Sequence, residues 1–452
     1  MSDELFGPIF VPDGFREAVS GRAWLQAMLD AEGALAVAEA RAGLIPAQAA
    51  EAIVSRCDAS LFDPAEIGHE GLAYGNPVPP LVKALTGAVS EVSEDAARHV
   101  HKGATSQDIT DTAAMLVCRN ALGRILAELD ALASACARLA DTHHDTLMPG
   151  RTLLQQALPT TFGLKAAGWL VSVLEARGRL RTVRDSGLAA QLGGAAGTLA
   201  SLGRDGTQVL REFARELDLA EPVVPWHTGR FRVAEVGSAL SLAAGVLGKI
   251  SLDVILMAQT EVGEVAEPAG DGRGGSSTLP HKRNPILSVT AAANVRRVQD
   301  LARTLQAAMV QEHERAAGGA WHSEWQALSD ALALTGGAAA AVREVAEGLE
   351  VYPERMLENL GATGGLILAE HVTTILSEHL GRLKAHEAVK AASRRTFESG
   401  KSLREELLSE SEVREVLSEK EIDAALDPGR YLGSAGEFVD RALDLYRKEV
   451  SG

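Results

Sequence analysis

The residues of this chain that could do chemistry gather in three polar segments. The densest runs from Pro268 to Pro285, PAGDGRGGSSTLPHKRNP. It carries the hydroxyls of Ser276 and Ser277, the cations Lys282 and Arg283, and the amide of Asn284 among four glycines and three prolines. Glycine lets backbone N–H groups come close to a ligand, and Pro285 is placed to open a helix whose positive end favours an anion. A second segment, HKGATSQDITDT at 101–112, sets His101, Thr105, Ser106 and Gln107 beside a helix start marked by Asp108, a group of donors suited to a carboxylate. The third, GRTLLQQALPTTFG at 150–163, offers Arg151, Thr152 and Gln155 to an anion. Plainer readings compete: an ordinary helix cap for Thr105 to Asp108, and an interdomain ion pair for Arg151.

The elements that must position these segments follow from proline spacing, because proline rarely sits inside a helix. None occurs at 81–148, 160–221, 226–267 or 286–352. These windows are rich in alanine and leucine with apolar residues three and four apart, which predicts long helices, the third of about 40 residues. About five such helices across 109–355 form the expected bundle, an all-α architecture in which each of the three segments sits at the edge of a long helix. Alanine-rich stripes such as AANVRRVQDLARTLQAAM are apolar enough to pack against another subunit, so a homo-oligomer is expected. The domains read as 1–108, a smaller helical region that holds the Trp24, Met28, Ala31, Leu35 stripe and ends near GNPVPP; 109–355, the bundle with its loop at 268–285; and 356–452, a more charged helical region.

Composition limits the partners. At 452 residues and 46% apolar, the chain can build sizeable cores. Its 44 basic and 61 acidic residues give a net charge of −17, which argues against nucleic acid or an anionic membrane surface. Cys57, Cys118 and Cys136 are too few and too scattered for a disulfide framework and read as apolar fillers in a reducing compartment. The acidic start lacks the basic region of a secretory leader, and no stretch approaches roughly 20 uninterrupted apolar residues, so a cytoplasmic protein is expected. His143, His144, His313 and His322 show no convincing ligand spacing, and no metal is expected.

The sequence GSSTLPHKRNP resembles the GSSxMPxKxNP signature of the fumarase/aspartase superfamily, with Leu279 in place of the usual methionine. HKGATSQD is similar to the family's HxGxTSxD segment, and GRTLLQQALPTTFG to its GRTHxQxAxPxTxG segment. All three occur in family order, so the resemblance spans essentially the whole chain. It implies a three-domain helical fold, and a homotetramer whose 20-helix core brings the segments together from different subunits. It also implies reversible elimination and addition beside a carboxylate through an enediolate-like carbanion, with no cofactor. On that resemblance Ser276 moves the proton, Lys282 and Asn284 hold charge, Ser277, Thr105, Ser106, Arg151, Thr152 and Gln155 bind substrate, and His101 is a possible acid, base or donor. A free serine is too weak a base, so Lys282 and loop N–H groups would have to activate it.

Two departures narrow the substrate. The histidine of GRTH is Leu153 here, and the glutamate commonly paired with it, five residues after the motif's asparagine, is Val289. Neither can transfer a proton, which points to a leaving group that needs no acid, such as a carboxylate. This pattern, with PWHTGRFR (225–232) and QEHERAAGGAWHSEW (311–325), resembles bacterial 3-carboxy-cis,cis-muconate cycloisomerases of protocatechuate catabolism, in which a substrate carboxylate adds internally to a double bond. Arg230 and Arg315 are then expected as further carboxylate binders for a small polycarboxylate, with surface ion pairs as the alternative. Phe231 stands where relatives often carry aspartate. The alternatives are a lyase releasing fumarate from a substituted succinate with a weakly basic leaving group, and adenylosuccinate or argininosuccinate cleavage, which Leu153 disfavours. Ser276→Ala should keep its assembly and lose roughly 10²-fold or more in rate; near-normal steady-state turnover would remove Ser276 from the mechanism.

Overall fold

A computed structural model describes residues 4–268, 279 and 282–451. Among the described residues six helices have 21 residues or more: α1 (Gly21–Arg41), α2 (Ser106–Thr142), α3 (Phe162–Thr182), α4 (Phe231–Met257), α5 (Ile286–Ala307) and α6 (Ala320–Gly348). α1 begins where the Ser20 side chain accepts the Ala23 N–H, and it buries Leu25, Met28, Leu29 and Leu35 together with two acids, Glu32 and Glu39. α2 has 37 residues, about 55 Å of helix at 1.5 Å per residue. Helices α2 to α6 are the five long helices expected from the proline gaps.

The structure departs from the sequence-based expectation in four places. The proline-free window 160–221 is not one helix, because α3 stops at Thr182 and the chain then winds irregularly through Gly194, Gly197 and Gly203, each at positive φ. α4 has 27 residues rather than about 40, since the chain turns after Met257 and pairs β3 (Val265–Ala266) with β4 (Glu350–Val351). GNPVPP does not close a region: Asn76 Oδ1 accepts the Val78 N–H, and the following prolines occupy the first turn of helix Val78–Ser90, where an absent N–H costs nothing. The segment 150–163 is largely a β-hairpin ahead of α3, with β1 (Leu147–Thr152) antiparallel to β2 (Gln155–Thr161).

The chain packs as two compact units, each assembled from three stretches. The first comprises Met1–Asp130, Glu175–Lys249 and Thr290–Val342; the second comprises Ala131–Leu174, Ile250–Val289 and Arg343–Gly452. In the first, α4 and α5 run antiparallel at close range. A Cβ on Gly237 would lie 2.8 Å from Leu305 Cδ1, one on Gly248 would lie 2.9 Å from Val295 Cγ1, and between them Ser241 Oγ donates to Gln299 Oε1 at 2.6 Å. α4 also leaves Leu242 and Leu252 exposed, at 60% and 54%. In the second, the C-terminal helices close over Val372, Leu376, Ala385, Val389, Leu403, Leu407 and Ile422, with Ser402–Glu405 and Ser418–Glu421 capping boxes fixing two helix starts.

The second unit seats α3 against the end of α2 through Gly163. A Cβ there would fall 2.7 Å from His143 O and 2.9 Å from Ala140 O, both backbone atoms that cannot swing aside. Gly163→Ala should therefore destabilise the protein by about 1–3 kcal/mol in chemical denaturation; an unchanged midpoint would show that the contact relaxes freely.

Candidate active site

In the first unit the polar segment 101–112 is organised around Asp108, which is fully buried. Its Oδ1 accepts from His227 Nε2 at 2.6 Å, Gly193 N at 2.9 Å and Gln191 Nε2 at 3.3 Å, and its Oδ2 accepts from Thr105 N and Gly194 N, each at 2.9 Å. The approach to Gly193 requires the absence of a side chain, since a Cβ there would sit 2.8 Å from His227 Cε1. Asp108 thus reaches back to the Thr105 N–H at the helix start, half of a capping box, while the Thr105 hydroxyl accepts from Arg315 Nη1 at 2.7 Å. Thr105, Ser106 and Arg315 are half-buried, a hydroxyl–guanidinium pair at the positive end of a long helix.

Arg230 requires a correction. It was expected to bind a substrate carboxylate, yet it is 2% exposed and its guanidinium is already occupied. Nη1 and Nη2 meet Asp111 at 2.7 and 2.9 Å, Nε meets Glu324 Oε1 at 3.0 Å, Nη2 also meets Glu324 Oε2, and the group stacks over Trp226. Trp321 Nε1 donates to Asp111 as well, at 2.9 Å. Pulling the guanidinium away would leave two buried carboxylates unpaired, so Arg230 serves as an internal tie rather than an anion receptor. The adjacent Phe231 is exposed.

His101 has its Nδ1 2.6 Å from Glu32 Oε1. Burial alone would favour the neutral ring, but the charge and hydrogen bond of Glu32, helped by Asp108 and Glu39, outweigh it and raise the pKa above its ordinary value. One level deeper, Glu39 is fully buried and neither carboxylate oxygen has a hydrogen-bond partner among the described residues. Burial pushes its pKa up to about 8 against the pull of Lys102.

The second unit presents the rest. Thr152 and Gln155 are exposed on either side of the hairpin tip, Leu153–Leu154, whose φ values of +50° and +65° make a two-residue turn with both positions left-handed. Arg151 is an ion pair, as its plainer reading had it, but one contained within this unit: Nη1 and Nη2 meet the buried Glu264 at 2.9 and 2.6 Å, and Asn359 Nδ2 donates to the same carboxylate at 2.8 Å. Lys282 is exposed and Asn284 half-buried. Between them Arg283 grips Glu350 at 2.9 and 2.6 Å, Tyr352 Oη at 3.1 Å and the Glu267 carbonyl at 2.8 Å. The Glu267 carboxylate in turn accepts the N–H groups of Leu287 and Ser288, capping α5 just beyond Pro285. Ser276 and Ser277 lie outside the described residues. Among the described residues no group of three or more His, Cys, Asp or Glu could hold a metal ion.

Sequence reasoning found the segments but missed most of their supports: Glu32, Asp111, Gln191, His227, Glu264, Arg283 and Glu324. Acids on otherwise apolar helix faces, such as Glu32 and Glu39 in α1, were the available signal, since a buried carboxylate needs a compensating partner.

A helical scaffold with these three segments defines a lyase-type fold, and comparison with known proteins places the family. The model of the family described as "Lyase" matches residues 11–299, and one described as "Adenylosuccinate lyase C-terminus" matches residues 365–442. The chain belongs to this lyase family, the fumarase/aspartase superfamily. It is 48% identical to a 3-carboxy-cis,cis-muconate cycloisomerase of Bradyrhizobium diazoefficiens over 98% of both chains. It is 45% identical to a nitrosuccinate lyase of Streptomyces davaonensis, covering 97% of this chain and 94% of that one. The crystal structure of the 3-carboxy-cis,cis-muconate lactonizing enzyme from Pseudomonas putida matches with a TM-score of 0.94 at 43% identity, covering 99% of this chain and 100% of that one.

Glu39 supplies a test of the buried acid pair. Its folded-state pKa is raised from 4.5 to about 8, so its favourable contribution is complete below pH 4.5 and is lost as pH rises through 8. Glu39→Gln removes that loss. Stability of the variant relative to the parent should rise by about 1.4 kcal/mol per pH unit across this window. Denaturation curves that keep a constant offset from pH 4.5 to 8 would contradict the assignment.

Proposed function

We propose that the protein interconverts 3-carboxy-cis,cis-muconate and a carboxymuconolactone in the cytoplasm, as a step of protocatechuate catabolism. A carboxylate oxygen of the substrate adds to an alkene carbon, the electron pair moves into the enediolate of the neighbouring carboxylate, and Ser276 delivers a proton to carbon. In reverse, Ser276 removes that proton and the internal carboxylate leaves; with the carboxyl groups ionised, lactone formation takes up one proton, which solvent returns to Ser276, and the reverse step releases it. Lys282, Asn284 and the loop N–H groups hold the enediolate, and the Thr105–Arg315 pair with Ser106 holds a distal carboxylate. Thr152 and Gln155 add contacts from the hairpin.

The observation that carries this reading is the joint replacement of the proton-transferring pair by Leu153 and Val289 in motifs that otherwise depart only at Leu279. A carboxylate leaves without protonation, whereas an amine does not. The working form is proposed to be a homotetramer of chains divided at 1–108, 109–355 and 356–452, with composite sites. The apolar residues exposed on α4, and Leu153 and Leu154 at 97% and 76% exposure, support burial against other copies.

A second reading is favoured by the nitrosuccinate lyase relative, since nitrite is also a weakly basic anion and its loss from nitrosuccinate would leave fumarate. The two separate by experiment. Purified protein is incubated with 3-carboxy-cis,cis-muconate, nitrosuccinate, adenylosuccinate and argininosuccinate while ultraviolet absorbance and product mass are followed. Lactone formation with the muconate, and no fumarate from the other three, is the expected result. Fumarate from nitrosuccinate without turnover of the muconate would replace the first reading by the second.

A further inference from the structure

The chemistry left unused lies beneath His101. Glu32 and Glu39 stand seven residues apart on one face of α1, 1% and 0% exposed. Burying two acids in an apolar helix face is costly unless they are compensated, and among the described residues no cation pairs with either at hydrogen-bond distance except the His101 ring. That ring is fixed twice. Glu32 Oε1 lies 2.6 Å from Nδ1, and the His101 backbone holds φ at +58°, a left-handed conformation uncommon for residues with side chains. The ring stays 19% exposed, four residues before the Thr105 hydroxyl that Arg315 engages. With Nδ1 committed to Glu32, Nε2 is the nitrogen left to meet a ligand.

We propose that Glu32 is a positioning residue for the reaction: its carboxylate fixes Nδ1 of His101 as a donor and keeps the imidazole protonated, so that Nε2–H binds a substrate carboxylate beside Thr105 and Arg315. The inference rests on the proposed function in taking a polycarboxylate as the ligand. The titratable groups facing the ring are Glu32 and Glu39 from α1, Asp108 from α2, and the neighbouring Lys102, whose Nζ is tied to the Leu44 carbonyl at 2.9 Å. Glu32, with Asp108 behind it, favours the charged ring, in the same direction as its raised pKa, and Glu39 adds only a smaller pull.

The test uses the full-length enzyme with Glu32→Gln, Glu32→Asp, His101→Gln and the double variant Glu32→Gln/His101→Gln. Two quantities are read: the pH dependence of kcat/KM with 3-carboxy-cis,cis-muconate, and the His101 titration by NMR of [13Cε1]histidine-labelled protein, assigned by the resonance that His101→Gln removes. Glu32→Gln should lower the His101 pKa by about one unit or more, shift the alkaline limb of kcat/KM by the same amount, and cost roughly tenfold above that limb. Glu32→Asp should recover part of the shift, and Glu32→Gln should add no further loss once His101 is Gln. An unchanged His101 titration overturns the proposal. So does a loss that is uniform across pH and persists in full when His101 is already replaced. Failure of the parent enzyme to turn over the muconate would sink the proposed function instead, while the NMR titration still decides whether Glu32 governs His101.

Discussion

Asp108 sets the terms on which the first unit folds. A carboxylate removed from water must be met by several donors, and the five that meet it come from Thr105, Gln191, Gly193, Gly194 and His227. The bond therefore couples the start of α2 to two stretches that are far away in sequence and irregular in conformation. Gln191 extends the tie, since its side-chain oxygen accepts the Trp226 N–H at 2.7 Å and its backbone exchanges hydrogen bonds with Thr112 Oγ1. The loop at 188–197 is thereby held by hydrogen bonds at Gln191, Gly193 and Gly194. The Thr105 hydroxyl, placed by the same acid, gains a defined position at the positive end of α2.

One turn further along α2 the same logic recurs with the charges exchanged. Asp111 and Glu324 share the single guanidinium of Arg230, with the Trp321 N–H as a further donor. Burial raises the Glu324 pKa while Arg230 pulls it down, so the triad sits near the limit of what one cation can compensate. It fastens α2, the start of α4 and the start of α6 to one another. This division of labour leaves Arg315, a few residues before α6, as the guanidinium that engages the Thr105 hydroxyl. Two arginines that read alike in sequence therefore have different partners, buried carboxylates for Arg230 and a half-buried hydroxyl for Arg315.

The same contrast explains how much was legible beforehand. The four proline gaps contain all five long helices, the last gap holding both α5 and α6, because helix formation is local, and the three motifs were legible because each is contiguous. The prediction failed at 183–205, where the helix ends without any proline and the chain runs on through glycines at positive φ, and at the hairpin, where Leu153 and Leu154 take turn conformations normally given to Asn or Gly. It failed for Arg230 because its partners are 119 and 94 residues away. Nothing near Arg230 in the chain announces them. Arg283 was legible only as part of a basic triplet, whereas its partner Glu350 emerges from the β3–β4 pairing that brings 350 beside the loop's base.

The hairpin tip is where physics and proposed chemistry meet. Left-handed φ values cost a leucine roughly 1–2 kcal/mol each, and exposing two leucines adds an apolar penalty, so the tip is expensive as an isolated feature. Such a cost is tolerated where the tip is covered and its shape is used, which on the proposed reading means facing substrate in a composite site. An apolar tip there can exclude water and shape the pocket but cannot protonate a leaving group. For an internal carboxylate this is no loss. The departing group stays tethered, and its return is intramolecular with a high effective concentration. The remaining demand is to hold an enediolate and move one proton, which Ser276, Lys282, Asn284 and the loop amides could meet without an acid. On that reading Leu153 selects for a class of leaving group, weakly basic anions, rather than for one substrate. On the proposed reading, the distinction between a tethered carboxylate and a free anion such as nitrite falls to the residues proposed to bind the rest of the molecule, the Thr105–Arg315 pair and His101 among them.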